Sequence, residues 1–144
     1  MKRFRFPLER VKKWREDQAG LEEMRLQTLY SEIGNLEAEQ RRIAAETEQS
    51  CRGILRQAAV SAQELSTLED YRLYAARESR RIAARRRDVE ARIVEQRRRV
   101  LDARRKCQLL DGLRDKALIS WTAAQDKEQE DLAAELFLAK RQRK

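Results

Sequence analysis

Histidine is absent from this chain, proline occurs once, glycine four times and cysteine twice, and aromatic residues make up only 6% of its 144 positions. Each shortage excludes something. Without histidine, and without a glycine-rich phosphate loop or a G-x-S-x-G turn, the usual catalytic constellations are missing. Carboxylates are plentiful but interleaved with arginines, as on solvated helix faces. Cys51 and Cys107 lie far apart with no ligand partners at metal-binding spacing, so two free thiols in a reducing compartment are the plain expectation. An enzyme is not expected, and no catalytic, cofactor-binding or metal-binding residue is assigned. No apolar run approaches the ~18 residues that would span a bilayer. The opening Met1-Lys2-Arg3-Phe4-Arg5-Phe6-Pro7 is basic but leads into no apolar stretch of the kind a secretory signal requires, so the cytoplasm is the default expectation. Few large aliphatics and few aromatics leave material for a narrow seam rather than a thick core.

What is present is charge and helix-forming residues. Forty per cent of positions are Asp, Glu, Lys or Arg, with 33 basic against 25 acidic side chains and a net charge of +8. Ala, Glu, Leu, Arg and Gln dominate the remainder, the composition of long helices. Pro7 stands where a helix would begin, at a position where its missing N–H costs nothing. No proline follows it. The isolated glycines at 20, 34, 53 and 112 read as tolerated helix positions, each costing ~1 kcal/mol.

Apolar residues recur in alternating steps of three and four. In the second half the run is Ile82, Val89, Ile93, Gln96, Val100, Ala103, Cys107, Leu110, Ala117, Trp121 and Ala124, with polar gaps at Arg86 and Arg114. In the first half it is Leu26, Leu29, Ile33, Leu36, Gln40, Ile43, Thr47, Ser50 and Ile54. Such spacing over several heptads predicts a coiled coil. Upstream, Leu8, Val11, Trp14, Leu21 and Met24 continue the stripe only if a stutter shifts the phase near Met24. Between the halves, Ser61-Ala62-Gln63-Glu64 and Ser66-Thr67-Leu68-Glu69 both fit the capping box that opens a helix. The expectation is helix one over about 7–58, a turn over about 59–66 within the bracket Gly53 to Thr67, helix two over about 67–138, and a basic tail over 139–144.

Charge blocks favour the same arrangement. Residues 1–15 carry a net +6, 16–66 a net −5, 67–110 a net +7, 111–138 a net −4 and 139–144 a net +4. Folding the chain back near residue 63 lays the −5 block along the +7 block and brings the +6 block to the −4 block. Single exposed pairs contribute only ~0.2–1 kcal/mol, but complementary flanks select orientation and register. The predicted fold is all-α, a single long two-helix antiparallel coiled-coil hairpin over 1–144, with position 8 beside roughly position 118. Its seam would include Leu29, Ile33, Leu36, Ile43, Ile54, Ile82, Val89, Ile93, Val100, Cys107, Leu110 and Trp121. Arg86 and Arg114 would set register as polar seam residues.

The opening segment Phe4-Arg5-Phe6-Pro7-Leu8-Glu9-Arg10-Val11 carries the most specific signal. Two aromatics at i, i+2 before a helix cannot both join one helical stripe. Phe6 is either a hydrophobic staple on the first turn or part of an exposed aromatic end that docks on a partner. The segment resembles the opening F-x-F-x-L-x-x-V-L-x-x-R of the FliJ family of flagellar export proteins, relatives of the YscO stalk proteins of type III secretion. Phe4, Phe6, Leu8, Val11 and Arg15 match in place, while Lys12 replaces a Leu. A Y-x-x-[YF] step after the turn is matched by Tyr71 and Tyr74, although Glu78 stands where an apolar residue follows. Glu128-Gln129 fits an E-Q-rich stretch near the C-terminus, and Leu132-Ala133-Ala134-Glu135 approximates the D-E-[IL]-A after it.

The resemblance implies a non-enzymatic cytoplasmic stalk or adaptor of the flagellar type III export apparatus, associated peripherally with the inner membrane. Its implied partners are the FliI-like export ATPase ring, the FlhA-like export gate and export substrate chaperones. Phe4, Phe6, Leu8, Val11, Arg15, Glu128 and Gln129 would meet the ring, and Tyr71 and Tyr74 the gate. An injectisome stalk is the alternative within that class. A different class is a nucleic-acid-binding coiled coil using Arg80-Arg81, Arg85-Arg86-Arg87, Arg97-Arg98-Arg99 and Arg104-Arg105 to line phosphates. Those arginines share their segment with the heptads and have no interleaved aromatics for base stacking. A solvated flank facing the acidic block of helix one is the simpler reading. A membrane-surface helix is the third class, disfavoured because the apolar face of the second half points at a partner helix.

Overall fold

A computed structural model describes residues 2–143. Two long helices pack against each other as an all-α antiparallel hairpin: α1 (Glu9–Leu55, 47 residues) and α2 (Ala62–Gln142, 81 residues). There is no strand among the described residues. Helix ends follow the macrodipole, with Glu9 and Glu64 in the first turns, and Arg52 in the last turn of α1 and Lys140 and Arg141 in that of α2.

Of the two capping boxes, the first is used. The Ser61 hydroxyl accepts from Glu64 N–H at 3.1 Å, and the Glu64 carboxylate accepts from Ser61 N–H at 3.1 Å. Helix two therefore opens at Ala62 rather than at 67, and the Ser66 box lies inside it. At the other side, Gln57 N–H donates to the Ile54 carbonyl at 3.1 Å, tightening the last turn of α1. The connection is thus 56–61, earlier than expected, and no residue in it needs a left-handed backbone. The segment expected as a basic tail is helical through Gln142.

The chain divides into two compact units, one of Glu22–Arg99 and one combining residues up to Leu21 with those from Val100 on. In the unit containing the turn, α2 supplies most of the buried side chains. Ala75, Ile82, Val89, Ile93 and Gln96 are buried there, with Val89 fully excluded from solvent, against Ile43 alone from α1. Leu26, Leu29, Ile33, Leu36, Thr47 and Ile54 of α1 are half-buried, while Gln40 and Ser50 are exposed. Glu39 and Cys51 are half-buried one residue away from each. Gln96 is the buried polar member, its amide donating to the Glu22 carbonyl at 2.9 Å and to the Glu22 carboxylate. A buried amide left unmatched would cost ~1–3 kcal/mol, so this pair favours one register.

Ion pairs line that seam. Arg85 grips Glu32 through Nε at 2.8 Å and a terminal nitrogen at 2.5 Å. Arg86 reaches Glu37 at 2.9 Å and Arg81 reaches Glu39 at 3.7 Å. The charge complementarity of the blocks is realised side chain by side chain.

In the other unit Val100 is buried, and Ala103, Cys107, Leu110, Ala117 and Trp121 are half-buried. The α1 side differs from expectation. Stepping back from Leu26 by fours and threes lands on Glu22, Ala19, Arg15 and Lys12, all half-buried, as are Gln18 and Gly20 on either side of Ala19. The helix keeps its phase and makes no stutter. Leu8, Val11, Trp14 and Leu21, expected in the seam, are consequently exposed, as is Met24. The register is also shorter than expected: Glu9 faces Arg114 and Lys12 faces Asp111, because the turn comes earlier. Ala124 is exposed, and Gln125 takes the half-buried place after Trp121.

Two expected outcomes follow. Ile82→Ala should cost about 2–5 kcal/mol, read by chemical denaturation monitored at 222 nm. A Cβ added at Gly34 or Gly112 would meet nothing within 4 Å, so Gly34→Ala and Gly112→Ala should each stabilise the helices by ~1 kcal/mol.

Candidate partner-binding surfaces

The N-terminal segment wraps onto α2. Pro7 and Leu8 form a turn before α1, and Glu9 N–H donates to the Phe6 carbonyl at 3.2 Å. This throws Phe4 back against Trp121, edge to face, with ring centroids 5.8 Å apart. Arg114 lies over the other side of Phe4 at 5.9 Å. Its guanidinium also approaches Glu9, Nε to Oε2 3.6 Å, yet Nε is shut from solvent without a hydrogen bond. Arg3, Arg5, Arg10 and Arg114 surround Phe4 and Phe6 in an open cleft of about 510 Å³. The aromatic pair is therefore half-buried and partly spent on its own chain, not freely displayed.

Leu8 and Val11, named with it, are exposed on the same end. Arg15 is half-buried, and its guanidinium stacks over the exposed Trp14 ring at 4.7 Å. Trp14 is thus a surface feature that the heptad pattern had assigned to the seam. Its position one residue before Arg15, off the phase 12-15-19-22, is the signal that would have placed it outside. Glu128 and Gln129 are exposed on α2, seven and eight residues past Trp121.

Near the turn, Tyr71 and Tyr74 do come together, ring centroids 6.3 Å apart. The Tyr71 hydroxyl donates to Glu46 across the seam at 3.2 Å. Burial first, and then that carboxylate, hold the Tyr71 phenol above its ordinary pKa. Tyr74 is 56% exposed. Beside them Ser50, Ile54, Ser61, Glu64, Thr67 and Leu68 line an open groove of about 680 Å³ that mixes apolar and hydroxyl-bearing side chains.

Several arginines of the basic flank already hold carboxylates. Beyond Arg81, Arg85 and Arg86, Arg92 pairs with Asp88, Arg99 with Glu95 and Arg105 with Asp102. Arg97 donates to the Tyr30 hydroxyl at 2.8 Å and lies over its ring. Phosphate binding by these side chains would have to compete with their present partners. Arg80, Arg87 and Arg98 are exposed and lie outside these pairs.

Neither cysteine is bonded, and both are half-buried. Burial pushes the Cys107 thiol up, and Glu16 and Asp111 add to the shift. No group of His, Cys, Asp or Glu among the described residues is arranged to hold a metal ion, and none of the described helices is long and apolar enough to cross a membrane.

In a Cys51→Ser chain, alkylation of Cys107 should follow a pH profile displaced upward from that of a free cysteine, and Asp111→Asn should move it part of the way back. Tyr71→Phe removes one exposed hydrogen bond and should cost no more than about 1 kcal/mol in thermal denaturation, which makes it a clean probe of partner binding.

No protein-family model, no curated protein and no solved structure matches this chain.

Proposed function

We propose that the chain is a non-enzymatic stalk or adaptor of a flagellar type III export apparatus, as its resemblance to the FliJ family implies. The observation that carries the reading is the opening Phe4-Arg5-Phe6-Pro7-Leu8 leading into a two-helix hairpin with a basic, aromatic end. Its partners are then the FliI-like ATPase ring, met by the N-terminal end, the FlhA-like gate, met near Tyr71 and Tyr74, and export substrate chaperones. The site of action is the cytoplasmic face of the inner membrane, reached through protein contacts.

Work of this kind needs no reacting group. A helical end seated asymmetrically in a symmetric ring contacts one subunit interface more than the others. Whichever ATPase conformation favours that contact is in turn favoured by it, a reciprocal coupling. The net +6 of residues 1–15 supports fast association with an acidic lumen. Two features favour the adaptor over the nucleic-acid reading: the engagement of several flank arginines, Arg85 and Arg86 among them, with carboxylates, and the exposed Leu8, Val11 and Trp14 beside the basic cleft.

The test is co-sedimentation with a flagellar export ATPase and with its injectisome counterpart, in nucleotide, reading ring assembly and ATP hydrolysis. Stimulation by the intact chain, reduced at least several-fold by Phe4→Ala with Trp14→Ala at unchanged helicity, is the expected outcome. Absence of ATPase binding together with salt-sensitive binding to DNA or RNA would overturn the proposal in favour of the arginine flank.

A further inference from the structure

The seam phase of α2 does not stop where α1 stops. Trp121 and Gln125 are the last half-buried positions, and steps of three or four residues continue through Glu128, Leu132, Leu136 and Ala139, with two successive fours around Leu132. Every residue from Asp126 to Arg143 is nevertheless exposed. Leu132, Leu136, Phe137 and Leu138 are 54%, 65%, 66% and 56% exposed, four large apolar side chains within two turns of a helix that continues to Gln142. This is a coiled-coil face without its second helix.

Its charges say what would cover it. The segment begins acidic, with Asp126, Glu128, Glu130, Asp131 and Glu135 against the single Lys127, and ends basic, with Lys140, Arg141 and Arg143. None of these groups is ion-paired. A helix acidic at one end and basic at the other, with an apolar stripe between, complements a second copy of itself run antiparallel. Such a contact is isologous and closes on two chains.

We infer that residues 126–143 form a self-association surface, through which two copies of the chain pair as an antiparallel coiled coil continuing the intramolecular seam. Setting Leu132 of one copy against Leu136 of the other puts the two-fold axis near residue 134. That register brings Glu128 of each copy to Lys140 of the other and Asp126 to the turn that carries Arg141 and Arg143, while Lys127 falls opposite Arg141 and Glu130, Asp131 and Glu135 face the apolar middle. A parallel pairing would instead set acidic against acidic and basic against basic. The covered surface is small, so association is weak and concentration-dependent. The pairing does not depend on the proposed export role. Since Glu128 and Gln129 lie on the paired face, self-association and ring docking through them would exclude each other.

Sedimentation equilibrium of the full 144-residue chain over a wide concentration range tests this. The expected result is a monomer–dimer equilibrium weakened about tenfold or more by Leu132→Glu and by Leu136→Glu, with unchanged far-ultraviolet circular dichroism because neither side chain packs in the hairpin. The combination Lys140→Glu with Arg141→Glu lowers the net charge, and so would strengthen any association limited by general repulsion, while a parallel pairing would exchange one like-charge contact for another. The antiparallel pairing requires that it weaken the dimer. A chain that stays monomeric at all concentrations, a dimer indifferent to the leucine changes, or a dimer strengthened by the charge reversal would each overturn the inference.

Discussion

Among the described residues, the interior is the stripe along which two helices face each other, and the rest of the structure depends on it. Each helix excludes water along that stripe, and most of its remaining surface stays in solvent. The buried apolar side chains are accordingly few: Ile43, Ala75, Ile82, Val89, Ile93 and Val100. Five of the six come from α2. Because the seam is thin, specificity has to come from elsewhere. It comes from the Gln96–Glu22 amide contact and from cross-seam ion pairs such as Arg85–Glu32 and Arg86–Glu37. Each pair is individually small, but together they penalise slips of register that the repetitive apolar pattern alone would tolerate.

The same economy explains the distribution of exposed apolar residues. Where α1 must keep its helical phase, the seam passes through Lys12, Arg15 and Ala19, and the larger residues Leu8, Val11, Trp14 and Leu21 are turned to solvent. Beyond the start of α1, α2 continues and leaves Leu132 and Leu136 uncovered. Both are surfaces a partner can use, and both lie in the unit that contains the N-terminal segment. The other unit offers instead the Tyr71–Tyr74 pair beside the capped turn, with one phenol tied to Glu46 and the other open. The functional proposal rests on the first of these surfaces together with the resemblance of its opening residues.

Fold class was legible because heptads and charge blocks are local or averaged properties. Ile82, Val89 and Ile93 announce their burial through spacing alone, and the sign of each block needs no coordinates. Less was legible of the surfaces. Nothing in the sequence distinguished the two capping boxes, since Ser61 and Ser66 present the same chemistry, and only the closure of the hairpin selects Ser61. The stripe Leu8, Val11, Trp14 and Leu21 was misassigned to the seam by reading apolarity as burial. Burial in a continuous helix is set by phase, and phase is fixed by the stronger apolar run downstream.

The sequence by itself determined that the chain is helical, that its two halves are paired, and that they run antiparallel. Helix propensity, three–four periodicity and block charge are carried by the residues whatever surrounds them. Only the tertiary structure decided which of two equivalent caps closes the turn, that Phe4 is held between Trp121 and Arg114, and which apolar residues stay in water. Those outcomes depend on which side chains meet across the seam, and that depends on a register no local pattern encodes.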